Sequence, residues 1–189
     1  MAQYDQVAIR SKLFGGYISL NGTGLTCYRL EPYRGTVRTT EHVKSWETFN
    51  VHHNDDGTIS FESSAFPDVY LSLDGSDVTP GVLYGDGGGS VASQVGIKAW
   101  EKFRIGRQDC ATPTVTVESA AFPGRYLRTS GPICFPNVQG VPESFEEFEV
   151  LVVGHTGSAS YNINIANIGE SESDYRLSRS FRLNRTRSK

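Results

Sequence analysis

The chain has 189 residues with 38% apolar and 11% aromatic content, which fits a folded domain with its own core and excludes a disordered chain. A net charge of −3 excludes the broad positive field of a general nucleic-acid binder. Cys27, Cys110 and Cys134 are odd in number and lack metal-ligand spacing, so neither a disulfide framework nor a metal site is expected, and a reducing, cytoplasmic setting is.

The opening "MAQYDQVAIRSK" has no charged segment followed by an apolar run, so neither a signal peptide nor a membrane partner is expected. Without a secretion signal, the triplets Asn21-Gly22-Thr23 and Asn184-Arg185-Thr186 read as chance glycosylation patterns. Residues 9–22, "IRSKLFGGYISLNG", read as strand. A long middle segment with Tyr28 and Tyr33 follows, and then "WETFNV", which places Phe49 and Val51 on one face of a strand. Asn54-Asp55-Asp56-Gly57 is turn chemistry, and "TISFES" alternates as a half-buried strand does. Phe66-Pro67-Asp68 predicts a tight turn, because proline presets the first turn dihedral, and "VYLSLDG" continues as strand. The next middle segment carries Tyr84 and "GDGGGS", which lacks the Gly-Lys-Ser/Thr end of a phosphate loop and is expected to be flexible. "WEKFRI", "TVTVES", a second Pro turn at Phe122-Pro123-Gly124, "RYLRTSG" and "FEEFEV" complete the pattern. Residues 155–189 end in "RLSRSFRLNRTRSK", with six basic residues and no acid, whereas residues 1–154 hold 12 Lys/Arg against 18 Asp/Glu.

These elements come in threes. "FESSAFPDVYLSLDG" at 61–75 returns as "VESAAFPGRYLRTSG" at 117–131, and in worn form at 9–22. Tyr17, Tyr70 and Tyr126 correspond, as do "WETF", "WEKF" and "FEEF". The units span about 5–57, 58–113 and 114–154. One such unit cannot bury its aromatic face alone, and three are too few for a propeller. The expectation is an all-β protein, a β-trefoil of three pseudo-symmetric repeats over 1–154. A C-terminal extension over 155–189 is too short for a separate domain and reads as a docked strand or arm with a mobile basic end.

The pattern "GGYISLNG" with "WETF", "WEKF" and "FEEF" resembles the fascin-like, or actin-crosslinking-like, trefoils. "FPGRYLR" is similar to trefoil modules that bind arabinofuranose side chains of plant polysaccharides. The chain departs from those modules in lacking their histidine after either "YL" phrase. The resemblance covers about residues 5–154 and implies the trefoil fold, with carbohydrate or actin as partners to be tested.

The repeated aromatics are read chiefly as core and barrel cap, with sugar-stacking platforms as the alternative. Glu47, Glu101 and Glu146 are read as acceptors for backbone N–H groups, with a cation site as the alternative. Ligand binding is expected where the copies disagree or in loops: Asp74, Arg128, Tyr84 and Tyr33 are the candidates. His42, His52, His53 and His155 fit no catalytic motif, and no cofactor is expected. The reading is therefore a non-enzymatic module that binds carbohydrate or a similar polar ligand through loops. The alternatives are an actin-binding protein, a loop-presenting protease inhibitor and an enzyme with an unlisted site. The basic tail is a candidate contact for an acidic partner.

Overall fold

The computed structural model describes residues 5–25, 34–107 and 114–155. Tyr28, Tyr33 and the extension from residue 156 onward lie outside the described residues. Twelve strands follow in order: β1 (Asp5–Ser11), β2 (Tyr17–Asn21), β3 (Gly35–Thr40), β4 (Phe49–His53), β5 (Ile59–Ser63), β6 (Val69–Asp74), β7 (Ser90–Val95), β8 (Phe103–Arg107), β9 (Thr114–Ser119), β10 (Tyr126–Arg128), β11 (Asn137–Gln139) and β12 (Phe148–His155). Each repeat contributes four.

The antiparallel pairings β1–β4, β4–β5, β5–β8, β8–β9, β9–β12 and β12–β1 close a six-stranded barrel. The hairpins β2–β3, β6–β7 and β10–β11 lie off it. They are joined to one another by β3–β7 pairing and a bridge between Gly88 and Val138. A six-stranded barrel capped by three hairpins is the β-trefoil. Closure of the ring leaves none of the six barrel strands with an unpaired edge.

The core follows the period-2 pattern of the barrel strands. Phe49, Phe61, Phe103 and Phe148 are fully buried, with Val7, Ile9, Ile59, Val115, Val117 and Val150 around them. Phe61 sits 6.2 Å from Phe49 and 5.9 Å from Phe103, ring centre to ring centre. Truncating such a phenylalanine to alanine costs about 3–5 kcal/mol. Ile18, Leu20, Leu71, Leu73, Leu127 and Val138 fill the cap beneath the hairpins.

Both proline turns close as expected: Val69 N–H donates to Phe66 O at 3.1 Å and Arg125 N–H to Phe122 O at 3.2 Å. Asp68 (φ 63°) and Gly124 (φ 74°) take the left-handed position that follows the proline in a type II turn. The seams between repeats are also threefold. Ser11, Ser63 and Ser119 each accept, at 3.2–3.3 Å, the N–H of Phe14, Phe66 and Phe122. Those phenylalanines meet the aromatic of the preceding repeat: Phe66 on Trp46 at 5.6 Å, Phe122 on Trp100 at 5.7 Å, and Phe14 on Phe145 at 5.5 Å.

Candidate functional site

The three glutamates do structural work at equivalent places. Glu47, Glu101 and Glu146 are buried, and each accepts the N–H three residues earlier: Lys44 at 2.8 Å, Lys98 at 2.9 Å and Glu143 at 2.7 Å. Each thereby closes the tight turn ahead of the last strand of its repeat, two of them 3₁₀ turns at Ser45–Glu47 and Ser144–Glu146. The turn swings the preceding aromatic out of the barrel. Trp46, Trp100 and Phe145 are therefore only partly buried, unlike the phenylalanines three residues on.

With one side of each ring on a phenylalanine, what covers the rest differs among repeats. In the second repeat the Arg34 guanidinium lies 4.6 Å from the centre of Trp100, steadied by Asp74 at 3.7 Å. In the third, Arg128 lies 5.0 Å from the centre of Phe145. Each is a cation–π contact. In the first repeat no described cation covers Trp46. The ring instead lines an open cleft of about 420 Å³, together with Arg38, Glu41, His42, Lys44 and Ile133.

The cleft is built by β3 and the turn after it on one side. On the other is the loop after β10, pinned to β3 where Thr39 N–H donates to Cys134 O at 2.8 Å and Cys134 N–H to Thr39 Oγ1 at 2.7 Å. That anchorage holds Ile133 at the rim, 67% exposed, with Phe135 beyond it at 74%. An aromatic face, an aliphatic wall and unpaired polar groups in one concave place suit a small polar ligand with an apolar face.

Asp74, Tyr84 and Arg128 converge on another feature, the segment between β6 and β7. Asp74 ends β6 and accepts Ser76 N–H at 3.1 Å and Ser76 Oγ–H at 2.8 Å. Tyr84 packs against the core edge; its hydroxyl accepts Thr79 N–H at 3.1 Å, and its backbone bonds both ways to the Gln139 amide. Arg128 is 5% exposed and donates to Gly85 O and Asp86 O, both at 3.0 Å. It also pairs with Glu146 at 3.5 Å. Burial raises the Glu146 carboxyl above its usual range, although Glu143 N–H and the Arg128 charge oppose the shift.

"GDGGGS" was expected to be flexible, and the structure corrects that. The run is threaded through the hairpin cap, with Gly88 bridged to Val138. A Cβ at Gly87 would collide with the Asn137 amide, and one at Gly89 with Asp74 O. Glycine is there for close approach. Tyr33 lies outside the described residues.

The sequence reading put core ahead of a sugar-stacking platform for Trp46, as for the other repeated aromatics, and so did not single out the cleft. The mismatch between copies, Ser19 and Ser72 where the third repeat has Arg128, does not separate Trp46 from Trp100, because the cover on Trp100 is Arg34 from the first repeat. Among the described residues no group of His, Cys, Asp and Glu is arranged to hold a metal ion, and no helix is long and apolar enough to cross a membrane.

No protein-family model matches the chain, and no curated protein matches its sequence. Solved structures do match its fold. The designed threefold-symmetric protein ThreeFoil is 7% identical, with a TM-score of 0.61 over 78% of this chain and 99% of its own. The ricin B-like lectin of Macrolepiota procera, solved with lactose, is 14% identical, with a TM-score of 0.57 over 80% of this chain and 98% of its own. SeviL, solved with asialo-GM1 saccharide, is 10% identical, with a TM-score of 0.56 over 80% and 99%. The chain also matches a mosquitocidal holotoxin, of which it spans 18% of the length. At these identities the likeness is one of fold.

Proposed function

We propose that this chain is a non-enzymatic, lectin-like recognition module that binds carbohydrate in the Trp46 cleft. One observation carries the reading: of three equivalent aromatic positions, two are covered by arginines of the chain itself, and Trp46 opens into a cleft with polar groups. A pyranose ring has an apolar face that stacks on indole and hydroxyls that take up the surrounding donors and acceptors. Saccharide complexes of two proteins with this fold support the class of ligand.

The test is a glycan array followed by calorimetry. Trp46→Ala should weaken the best glycan at least tenfold, about 1.4 kcal/mol, with the far-UV spectrum unchanged. Silence across the array from a folded sample overturns the reading. The loop carried by Asp74, Tyr84 and Arg128 is retained as a second contact. Tyr84→Phe, which removes the hydroxyl while keeping the packed ring, separates it from the cleft: a loss there equal to that of Trp46→Ala moves the site.

A second reading, an actin- or other protein-binding module of fascin type, draws on Ile133 and Phe135, two large apolar side chains exposed on one loop. Co-sedimentation with filamentous actin distinguishes it. Unchanged binding after truncation at residue 155 rejects any role of the basic tail.

A further inference from the structure

We infer that the ligand of the Trp46 cleft is an anionic saccharide, one bearing a carboxylate or a sulfate, and that Arg38 is its anion-binding residue. The inference rests on the carbohydrate reading above. Two of the three repeated aromatics have an arginine against the ring, and Trp46 shares its cleft with a third arginine, Arg38. Arg34 is engaged by Trp100 and Asp74. Arg128 is engaged by Phe145, Glu146 and two loop carbonyls. Arg38, on β3, is exposed and lines the cleft, and among the described residues it has no ion pair, hydrogen bond or ring contact from its guanidinium. It is the arginine of the three whose donors are left for something else.

Lys44 lines the same cleft, exposed, with its ammonium equally free among the described residues; only its backbone is tied down, the N–H to Glu47. His42 adds a further exposed donor. Against these stand two carboxylates. Glu47 is 4% exposed and takes the Lys44 N–H, so it is enclosed in the turn. Glu41 is exposed and is the acceptor left for sugar hydroxyls. The solvent-facing groups of the cleft are thus two fixed cations to one anion, in a molecule of net charge −3. A planar guanidinium forks onto a carboxylate or sulfate through two parallel hydrogen bonds, which a neutral sugar cannot offer. The ring on Trp46 and the anion on Arg38 then fix both ends of one residue of the glycan.

The experiment compares matched glycans on the full chain: a neutral oligosaccharide, its sialylated or uronic-acid form and its sulfated form, at low and at 0.5 M salt. The charged form should bind at least tenfold tighter at low salt, and the advantage should shrink severalfold at high salt. Arg38→Gln should abolish the ratio by which the charged form outbinds its neutral parent; Lys44→Gln should reduce that ratio. Preference for carboxylate alone, or sulfate alone, supports the inference and names the source. Equal binding of neutral and charged forms, or an advantage that survives Arg38→Gln, overturns it and leaves the carbohydrate reading standing. No binding of any glycan by the folded protein removes both.

Discussion

Asp68 holds a left-handed backbone at φ 63°, in the turn where the third repeat has Gly124 at φ 74°. A left-handed conformation strains a side-chain-bearing residue and not glycine. Asp68→Gly should therefore raise stability by about 1 kcal/mol, read as a higher urea midpoint with an unchanged slope. The turn is held by a carboxylate in both copies: Glu62 accepts Asp68 N–H at 2.8 Å, and Glu118 accepts Gly124 N–H at 2.7 Å. Burial is the largest influence on the Glu62 carboxyl and pushes it up. The Asp68 N–H, the His52 ring at 2.8 Å and the Asn50 amide together outweigh burial and hold it below its ordinary 4.5. A carboxylate depressed in the folded state adds stability that is complete above the unfolded value and fades as pH falls through the folded one. Glu62→Gln should therefore be less stable than the parent near neutrality, and the gap should close as pH falls from 4.5 through the lower folded value. A constant gap across urea titrations from pH 7 to pH 3 would reject the ionic contribution. These roles were only half legible. The repeat showed that Glu62 and Glu118 correspond, but the alternation of a strand says only that they face away from the core. The partner is a turn N–H six residues on, and that requires the turn geometry.

Strands and turns were the most readable elements, because alternation, proline and Asn/Asp-Gly signals agree at each place. The segment between β6 and β7 was the least readable. Its glycines look like a linker in sequence, and it is packed because Arg128, Asn137, Val138 and Gln139, all from another repeat, bond to its backbone. Such long-range hydrogen bonds leave no local pattern. Arg128→Ala removes those donors and leaves Glu146 buried without its cation, which costs about 3–5 kcal/mol. The expected signature is local as well as global: amides of residues 85–89 should lose exchange protection in the native state before those of the barrel strands. Protection lost uniformly would mean that the loop is held by other contacts. Trp46 teaches the opposite lesson. Its sequence environment matches that of Trp100 closely, and the difference between a covered and an open indole comes from Arg34, which immediately precedes β3 in the first repeat and lies over Trp100 of the second.

At the scale of the molecule, three worn copies read from sequence become a ring because each seam repeats one set of contacts. Lys12, Ser64 and Ala120 donate their N–H groups to Glu147 O, Thr48 O and Lys102 O, at 2.9–3.0 Å, across the three seams. The third seam differs in one respect: it is closed between the two ends of the described chain, where β1 pairs with β12 from Asp5 opposite His155 to Ser11 opposite Phe148. The other two seams are continuous in sequence. If the ring is held by its seams and not by chain order, the break can be moved. Joining residue 155 to residue 5 by a short glycine-rich linker and opening the chain between Asp56 and Gly57 should give a folded protein. The new ends fall in the turn between β4 and β5, where a Cβ on Gly57 would meet no atom within 4 Å. The permuted chain should melt cooperatively within several degrees of the parent and keep its near-UV aromatic spectrum. Deleting β12 instead opens the barrel between β9 and β1 and exposes Phe148's partners, so that variant should not fold. A permutant that collapses without a cooperative transition would show that the β4–β5 turn is needed as a covalent link, and that the three seams are not interchangeable.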